Sequence, residues 1–188
     1  MRSGTQVDKD VLDAADRLKI VGRAGTGVDN IDVKYATAKD VLVVNTPGGN
    51  TISTAELAFS HILALARNIP QASAALKEGR WERAMYTGSE LSGKVVGIIG
   101  TGAIGREVAK RCRAFGMTTI GYDPVLSDSA MRGYEIEPHD LEGLLKKSDF
   151  ITIHTPKTKD TTHLINSDTL SRCKKGVRIV NCARGGMV

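Results

Sequence analysis

"KVVGIIGTGAIGREVAKRCRAFGMTTIGYDP", residues 94–124, decides the fold. It joins an apolar strand, a glycine turn, a helix and a second apolar strand, the sequence of a βαβ unit. Gly100, Gly102 and Gly105 form G-x-G-x-x-G directly after VVGII and open the helix IGREVAKRCRAF. The three glycines serve different physical ends. Gly100 makes the tight turn, Gly102 lets a pyrophosphate approach the backbone, and Gly105 lets the helix pack closely on the strand. The helix N-terminus then offers unpaired N–H groups and partial positive charge to phosphates. The strand TTIGY ends in Asp123, 18 residues after Gly105. A carboxylate there accepts hydrogen bonds from an adenosine ribose and repels a 2′-phosphate. Pro124 follows and no arginine is adjacent, so NAD is favoured over NADP. The plain alternative is a glycine turn in an ordinary α/β protein. Strand, helix and acid standing in register favour the dinucleotide.

Outward from this block the βα alternation continues. Strands are expected at 94–99, 118–122, 149–153 and 177–181, and helices at 103–114, 140–147 and 167–172. The strands are apolar nearly throughout, as in a parallel sheet buried on both faces. Before the block, residues 8–20 read as a short helix with Asp8 as N-cap and apolar Val11, Leu12 and Ala15. A strand in KIVGRAG, another short helix and a buried strand at 41–45 follow, closed by Pro-Gly-Gly. Residues 50–83 form a long helical region interrupted at Pro70, capped by Thr51 or Ser53, with Ser53-Thr54-Ala55-Glu56 as a capping-box pattern. The fold class is α/β: a Rossmann-like doubly wound parallel sheet. The domain boundary is expected near residues 45–50, giving a partial domain at 1–46 and a dinucleotide domain at 47–188.

Composition bounds the function. The chain has 188 residues, 41% hydrophobic and 25% charged, enough for one folded, soluble domain or one domain and part of another. The net charge is +5, and all of the excess lies in residues 91–188, with 15 Lys+Arg against 10 Asp+Glu. These charges are dispersed and aromatics are only 4%, which argues against nucleic acid and for small anions. Cys112, Cys173 and Cys182 have neither metal spacing nor an even count, so no metal is expected and a reducing, cytoplasmic setting is. No apolar run approaches a membrane span, and the N-terminus has no signal-peptide pattern.

Four blocks carry a family resemblance: VGRAGTGVDNID (21–32), GIIGTGAIGREVA (97–109), SDFITIHTPKTKDTTHLIN (148–166) and KKGVRIVNCARGG (174–186). The chain resembles the D-isomer-specific 2-hydroxyacid dehydrogenases, and GRAGTGVDN with ERAMY, GYDP and VNCARGG points to the phosphoglycerate branch. The resemblance implies a two-domain enzyme that oxidises 3-phospho-D-glycerate to 3-phosphohydroxypyruvate with NAD, in L-serine biosynthesis. It also implies that residues 1–46 are a remnant of a flavodoxin-like substrate domain and that the NAD domain is truncated at its C-terminal end. The implied cofactor contacts are Thr26, Gly100, Gly102, Ala103, Ile104, Gly105, Asp123, Thr155 and the turn Cys182, Ala183, Arg184. Arg2, Ser3, Gly25 and Gly27 would meet the substrate. The long helix and the arm at 80–90 resemble the family's dimer surface, so a homo-oligomer is implied when the enzyme is full length.

Arg184 is the implied catalytic residue. A guanidinium can grip a carboxylate and polarise the adjacent carbonyl with fixed donors, in a geometry Lys does not offer. On the residues alone, a structural ion pair explains it equally well; the resemblance favours the clamp. A frayed terminal arginine explains Arg2 as well as substrate contact does. His154 reads as a packing or cofactor-edge residue, because the family's base is a histidine paired with a glutamate further along. Cys182 has no activating partner and reads as a small packing residue. That Glu and His lie beyond Val188, so the expectation for this chain alone is NAD binding with little or no turnover. Two other readings stay open: a non-catalytic NAD(H)-binding module, as in CtBP-like corepressors, and another dehydrogenase of the family such as a glyoxylate/hydroxypyruvate reductase.

Overall fold

The computed structural model describes residues 1–188. The chain divides into two compact units, Met1–Thr51 and Ile52–Val188. In the first, helix α1 (Lys9–Asp13) precedes strand β1 (Ile20–Gly22), and helix α2 (Val33–Ala38) precedes strand β2 (Leu42–Val44). The two strands pair in parallel, Val21 opposite Val43. Val7, Leu12, Val21, Ile31, Ala36 and Val41 form the small core. Asp8 caps α1 as expected, its carboxylate accepting from the Val11 N–H at 3.1 Å. The helix ends at Asp13, however, so Ala15 lies outside it.

The second unit begins within helix α3 (Thr51–Arg67), followed by α4 (Ile69–Lys77). Because α3 already starts at Thr51, Ser53 lies inside it and is not its cap, contrary to the capping-box expectation. The break falls at Asn68, which is left-handed at φ 52°, while Pro70 sits in the first turn of α4. A continuous helix would drive the Pro70 ring into the Ala66 carbonyl four residues back. That carbonyl instead accepts the Ser89 N–H at 2.8 Å.

A five-stranded parallel sheet follows: β3 (Val95–Ile99), β4 (Thr118–Tyr122), β5 (Glu137–Pro138), β6 (Phe150–Ile153) and β7 (Arg178–Asn181). Their order is β5-β4-β3-β6-β7, so the chain runs outward from β3 in one direction and then in the other. Helices α5 (Ala103–Ala114), α6 (Asp128–Gly133), α7 (Leu141–Lys147) and α8 (Ser167–Ser171) connect the strands. Val96, Ile98 and Phe150 pack with Phe59, Ile62 and Val108 of α3 and α5 on one face. Ile99, Ile151 and Ile153 pack with Leu144 and Leu145 of α7 on the other. The alternation along β3 and β6 therefore buries both faces, at about 25 cal/mol per Å² of apolar surface removed from water.

In strand β7, last in the order of these five strands, Val180 is buried and Arg178 and Ile179 are partly so. The α6–β5 segment is an element that hydrophobic periodicity does not show. Strand β5 has two residues, one of them proline, which an edge strand tolerates because it needs no inward N–H. Ser127 caps α6, and Met131 and Ile136 anchor the segment in the core.

Candidate functional site

Strand register builds the site. Ile99 is level with Tyr122 on one side and with Ile153 on the other, and Ile153 is level with Asn181. The next residue on each strand is Gly100, Asp123, His154 and Cys182, so four chain turns leave the sheet along one C-terminal edge. This is the edge at which open α/β sheets bind ligands, at the switch point beside the first strand. The chain reverses direction at β3, the strand that delivers Gly100.

The three glycines do three different things. Gly100 has φ +90°, and a Cβ there would lie 2.7 Å from Thr155 Cγ2 and 2.8 Å from the His154 backbone. Gly105 faces the Gly100 carbonyl oxygen so closely that a Cβ would collide with it, while Gly102 has nothing within 4 Å of that position. Gly102 is the N-cap of α5 and lends it no side-chain bond. Ala103 and Ile104 begin the helix, where N–H groups have no intrahelical acceptor.

Asp123 is more heavily bonded than its sequence position suggests. One oxygen accepts the Thr101 N–H at 2.9 Å and the Thr101 hydroxyl at 3.2 Å; the other accepts the N–H groups of Val125 at 2.9 Å and Leu126 at 3.1 Å. Burial pushes its pKa up, but the four donors outweigh burial and hold it below the ordinary carboxylate value. Asp123 is thus charged at neutral pH.

After β6, burial drives the His154 imidazole down to about 4, so the ring is neutral. Its Nε2 meets the Thr152 hydroxyl at 2.8 Å, while Nδ1 and the Thr155 hydroxyl oxygen are buried without a partner. After β7, Asn181 ties the turn: its side-chain oxygen accepts the Ala183 N–H at 3.0 Å and its amide donates to the Arg184 carbonyl at 2.8 Å. Half-buried Arg184 lays one guanidinium nitrogen 2.8 Å from the Ala183 carbonyl. Beyond it, Gly186 and Met187 carbonyls accept from His163 and Ile165, which fastens the turn to the loop after β6. Burial raises the Cys182 thiol, the opposite of an activated nucleophile. Asn181 and Thr101 escape motif reading; the signal for Asn181 is an Asn at a strand end before small residues, an Asx-turn pattern.

The remaining site residues belong to the first unit. Arg2, Ser3 and Gly25 line a cavity of about 380 Å³ with Arg23, Thr46 and Asn50. Arg23 was not a sequence candidate. Its Nε donates to the buried Asn30 side chain at 3.1 Å, and the Asn30 amide donates to the Arg2 and Thr5 carbonyls at 3.2 and 2.6 Å. The Arg2 loop is thereby held in place. Thr26 donates to Asn50 at 2.8 Å, and its carbonyl accepts from Asn45 at 2.7 Å. Gly27 does not line the cavity. A Cβ on Gly25 would run into the Arg23 guanidinium.

Comparison with known proteins fits this geometry. Residues 59–188 match the D-isomer specific 2-hydroxyacid dehydrogenase, NAD binding domain. The whole chain is 54% identical to human D-3-phosphoglycerate dehydrogenase and spans 35% of that enzyme's length. Among solved structures, the TT0316 protein of Thermus thermophilus superposes with a TM-score of 0.92 at 33% identity, over 100% of this chain and 60% of that one. D-lactate dehydrogenase of Aquifex aeolicus, solved with NAD and lactic acid, gives 0.89 at 34% identity, over 97% and 55%. The chain belongs to the D-isomer-specific 2-hydroxyacid dehydrogenase family.

Proposed function

We propose that this chain carries the NAD domain and part of the substrate domain, Met1–Thr51, of an enzyme that oxidises 3-phospho-D-glycerate to 3-phosphohydroxypyruvate, a step toward L-serine. The observation that carries the reading is the level row of strand ends delivering the glycine loop, Asp123, Thr155 and the Arg184 turn to one edge. The residues present fit a dinucleotide. Gly102 leaves open space beside a helix N-terminus, where a pyrophosphate has N–H donors and favourable dipole charge. The unpartnered Thr155 hydroxyl is available to the ligand. A carboxylate has about four acceptor positions, and all four of Asp123 are taken. The Thr101 hydroxyl makes the longest of the four bonds and can rotate, so a ribose hydroxyl can take its place.

NAD supplies the hydride acceptor when bound. Arg184 holds the substrate carboxylate and polarises the oxygen that becomes the carbonyl. Taken by itself, the first unit offers two guanidinium groups, Arg2 and Arg23, in a cavity whose wall Ser3 and Gly25 complete, a setting suited to a phosphate. Thr26, whose hydroxyl and carbonyl are engaged by Asn50 and Asn45, sits on a fixed loop suited to a cofactor contact. Exposed Leu57, Leu65, Trp81 and Met85, on α3 and the following arm, support assembly with a second copy. No helix is long and apolar enough to cross a membrane, and a cytoplasmic setting suits the three free thiols.

The test is a substrate panel on the full-length enzyme, following NADH formation. Oxidation is expected with 3-phospho-D-glycerate and not with lactate or glycerate at equal concentration. Equal rates with the unphosphorylated acids would overturn the substrate assignment, and no NADH from any of them would favour a non-catalytic NAD-binding role. A second measurement addresses the cofactor. Asp123→Asn is expected to lower the preference for NADH over NADPH by about tenfold or more, because the charge that repels a 2′-phosphate is gone. An unchanged ratio of the two dissociation constants would remove Asp123 from cofactor selection.

A further inference from the structure

The opposite edge of the same sheet carries a second cationic site. Lys94, Asp149 and Val177 immediately precede β3, β6 and β7, and with Lys174, Lys175 and Arg178 they line a cavity of about 270 Å³. Of the 15 Lys+Arg in residues 91–188, four meet here against a single acid. That acid is already engaged: Asp149 accepts the Val95 N–H at 2.8 Å and the Lys174 ammonium at 3.0 Å. No carboxylate pairs with Lys175 or Arg178, and Arg178 is laid against the buried Phe150 ring, 5.1 Å from its centroid. The wall also contains Ser89, whose hydroxyl oxygen is buried with no hydrogen-bond partner. Gathered like charge costs free energy unless an anion offsets it, and so does a buried hydroxyl without a partner.

We infer that this cavity is a phosphate site, separate from the cofactor and substrate sites, taking a compact phosphate dianion on Lys94, Lys175 and Arg178 with the Ser89 hydroxyl as a further donor. The size suits a phosphate group better than a dinucleotide, since pockets for larger ligands begin at about 300 Å³. Its position excludes competition with the cofactor. A five-residue strand rising about 3.3 Å per residue separates Lys94 from Gly100 by roughly 15 Å or more. Asp149 is bonded to Lys174 and also attracts Lys94, so Lys175 and Arg178 are the cations of the cavity wall without a carboxylate partner. Inorganic phosphate and a phosphomonoester share this chemistry.

The test uses the full-length enzyme in the Arg23→Gln background, which disables the phosphate contact proposed for the first unit and so keeps the two readings distinguishable. Inorganic phosphate is titrated by calorimetry at low ionic strength with NADH saturating. One phosphate per chain is expected, with affinity falling about tenfold in Arg178→Gln and in Lys175→Gln. Ser89→Ala changes no charge and is expected to weaken binding several-fold, which a diffuse basic surface does not predict. NADH affinity stays unchanged in all three, and the thermal midpoint without phosphate does not fall. A parallel titration with 3-phospho-D-glycerate shows whether a phosphomonoester also reaches the cavity, counted only as a second site per chain beyond the substrate site; saturation by inorganic phosphate that weakens in the variants supports the site. Absence of saturable binding of inorganic phosphate, or unchanged affinity in all three variants, would each overturn it.

Discussion

Arg184→Lys in the full-length enzyme is expected to lower kcat/KM for 3-phospho-D-glycerate by about 10²–10³-fold, the usual consequence of removing one fixed donor to a developing charge. The substitution keeps the positive charge, so a loss of this size isolates geometry. Lys offers a mobile ammonium; Arg offers a planar fork able to bind a carboxylate and the neighbouring oxygen together. The structure shows what holds the fork. Asn181 bonds both Ala183 and Arg184 backbones, and the segment beyond is fastened to the loop after β6. NADH affinity is expected to change less than threefold, because Lys keeps the positive charge of this turn and the glycine loop and Asp123 are unaltered. Retention of kcat/KM within fivefold would reduce Arg184 to a structural cation closing its own turn through the Ala183 carbonyl. His154 offers no substitute: its imidazole is pulled down to about 4 and is a poor proton acceptor at neutral pH.

The parts of the fold that local chemistry specifies were legible in the residues. Strand β3 is a contiguous apolar run, and α5 begins where the glycine turn releases it, so its span 103–114 matches the expected one. Elements that depend on neighbours were not. Strand β5 has two residues and exists because β4 offers it an edge. At Ser53 the capping-box pattern falls inside the helix, which already starts at Thr51. The site divides along the same line. Gly100, Gly102, Gly105 and Asp123 follow from spacing, because the chemistry of a βαβ turn is local. Arg23 was invisible because only folding brings it beside Arg2, through the side chain of Asn30. The saturation of Asp123 by Thr101, Val125 and Leu126 is likewise a property of the folded turn, and it makes Thr101 a partner of the carboxylate that the G-x-G pattern leaves unspecified.

Substituting alanine at two glycines three residues apart is expected to separate folding from cofactor binding. At Gly105 the added Cβ meets the Gly100 carbonyl oxygen and stands 3.2 Å from Ile98 Cγ2, so α5 has to move off β3. Backbone is in the way rather than a flexible side-chain end, and overpacking of this kind costs about 1–3 kcal/mol or more. Gly105→Ala therefore lowers the thermal midpoint, and any loss of NADH affinity accompanies loss of structure. Gly102 is the reverse case. Its φ of −66° and ψ of −161° suit alanine, and no atom lies within 4 Å of the new methyl group. Gly is a better N-cap than Ala, and the exchange costs roughly 0.5–1 kcal/mol, less than the overpacking at Gly105. The methyl group would nevertheless occupy the space in which a pyrophosphate approaches the helix N-terminus. Gly102→Ala is thus expected to lower the unfolding midpoint less than Gly105→Ala does, while weakening NADH binding about tenfold or more in the folded enzyme, read by fluorescence titration. Tight NADH binding by a stable Gly102→Ala enzyme would mean that the phosphates do not pass over this glycine, and the cofactor would have to be placed elsewhere along the row of strand ends.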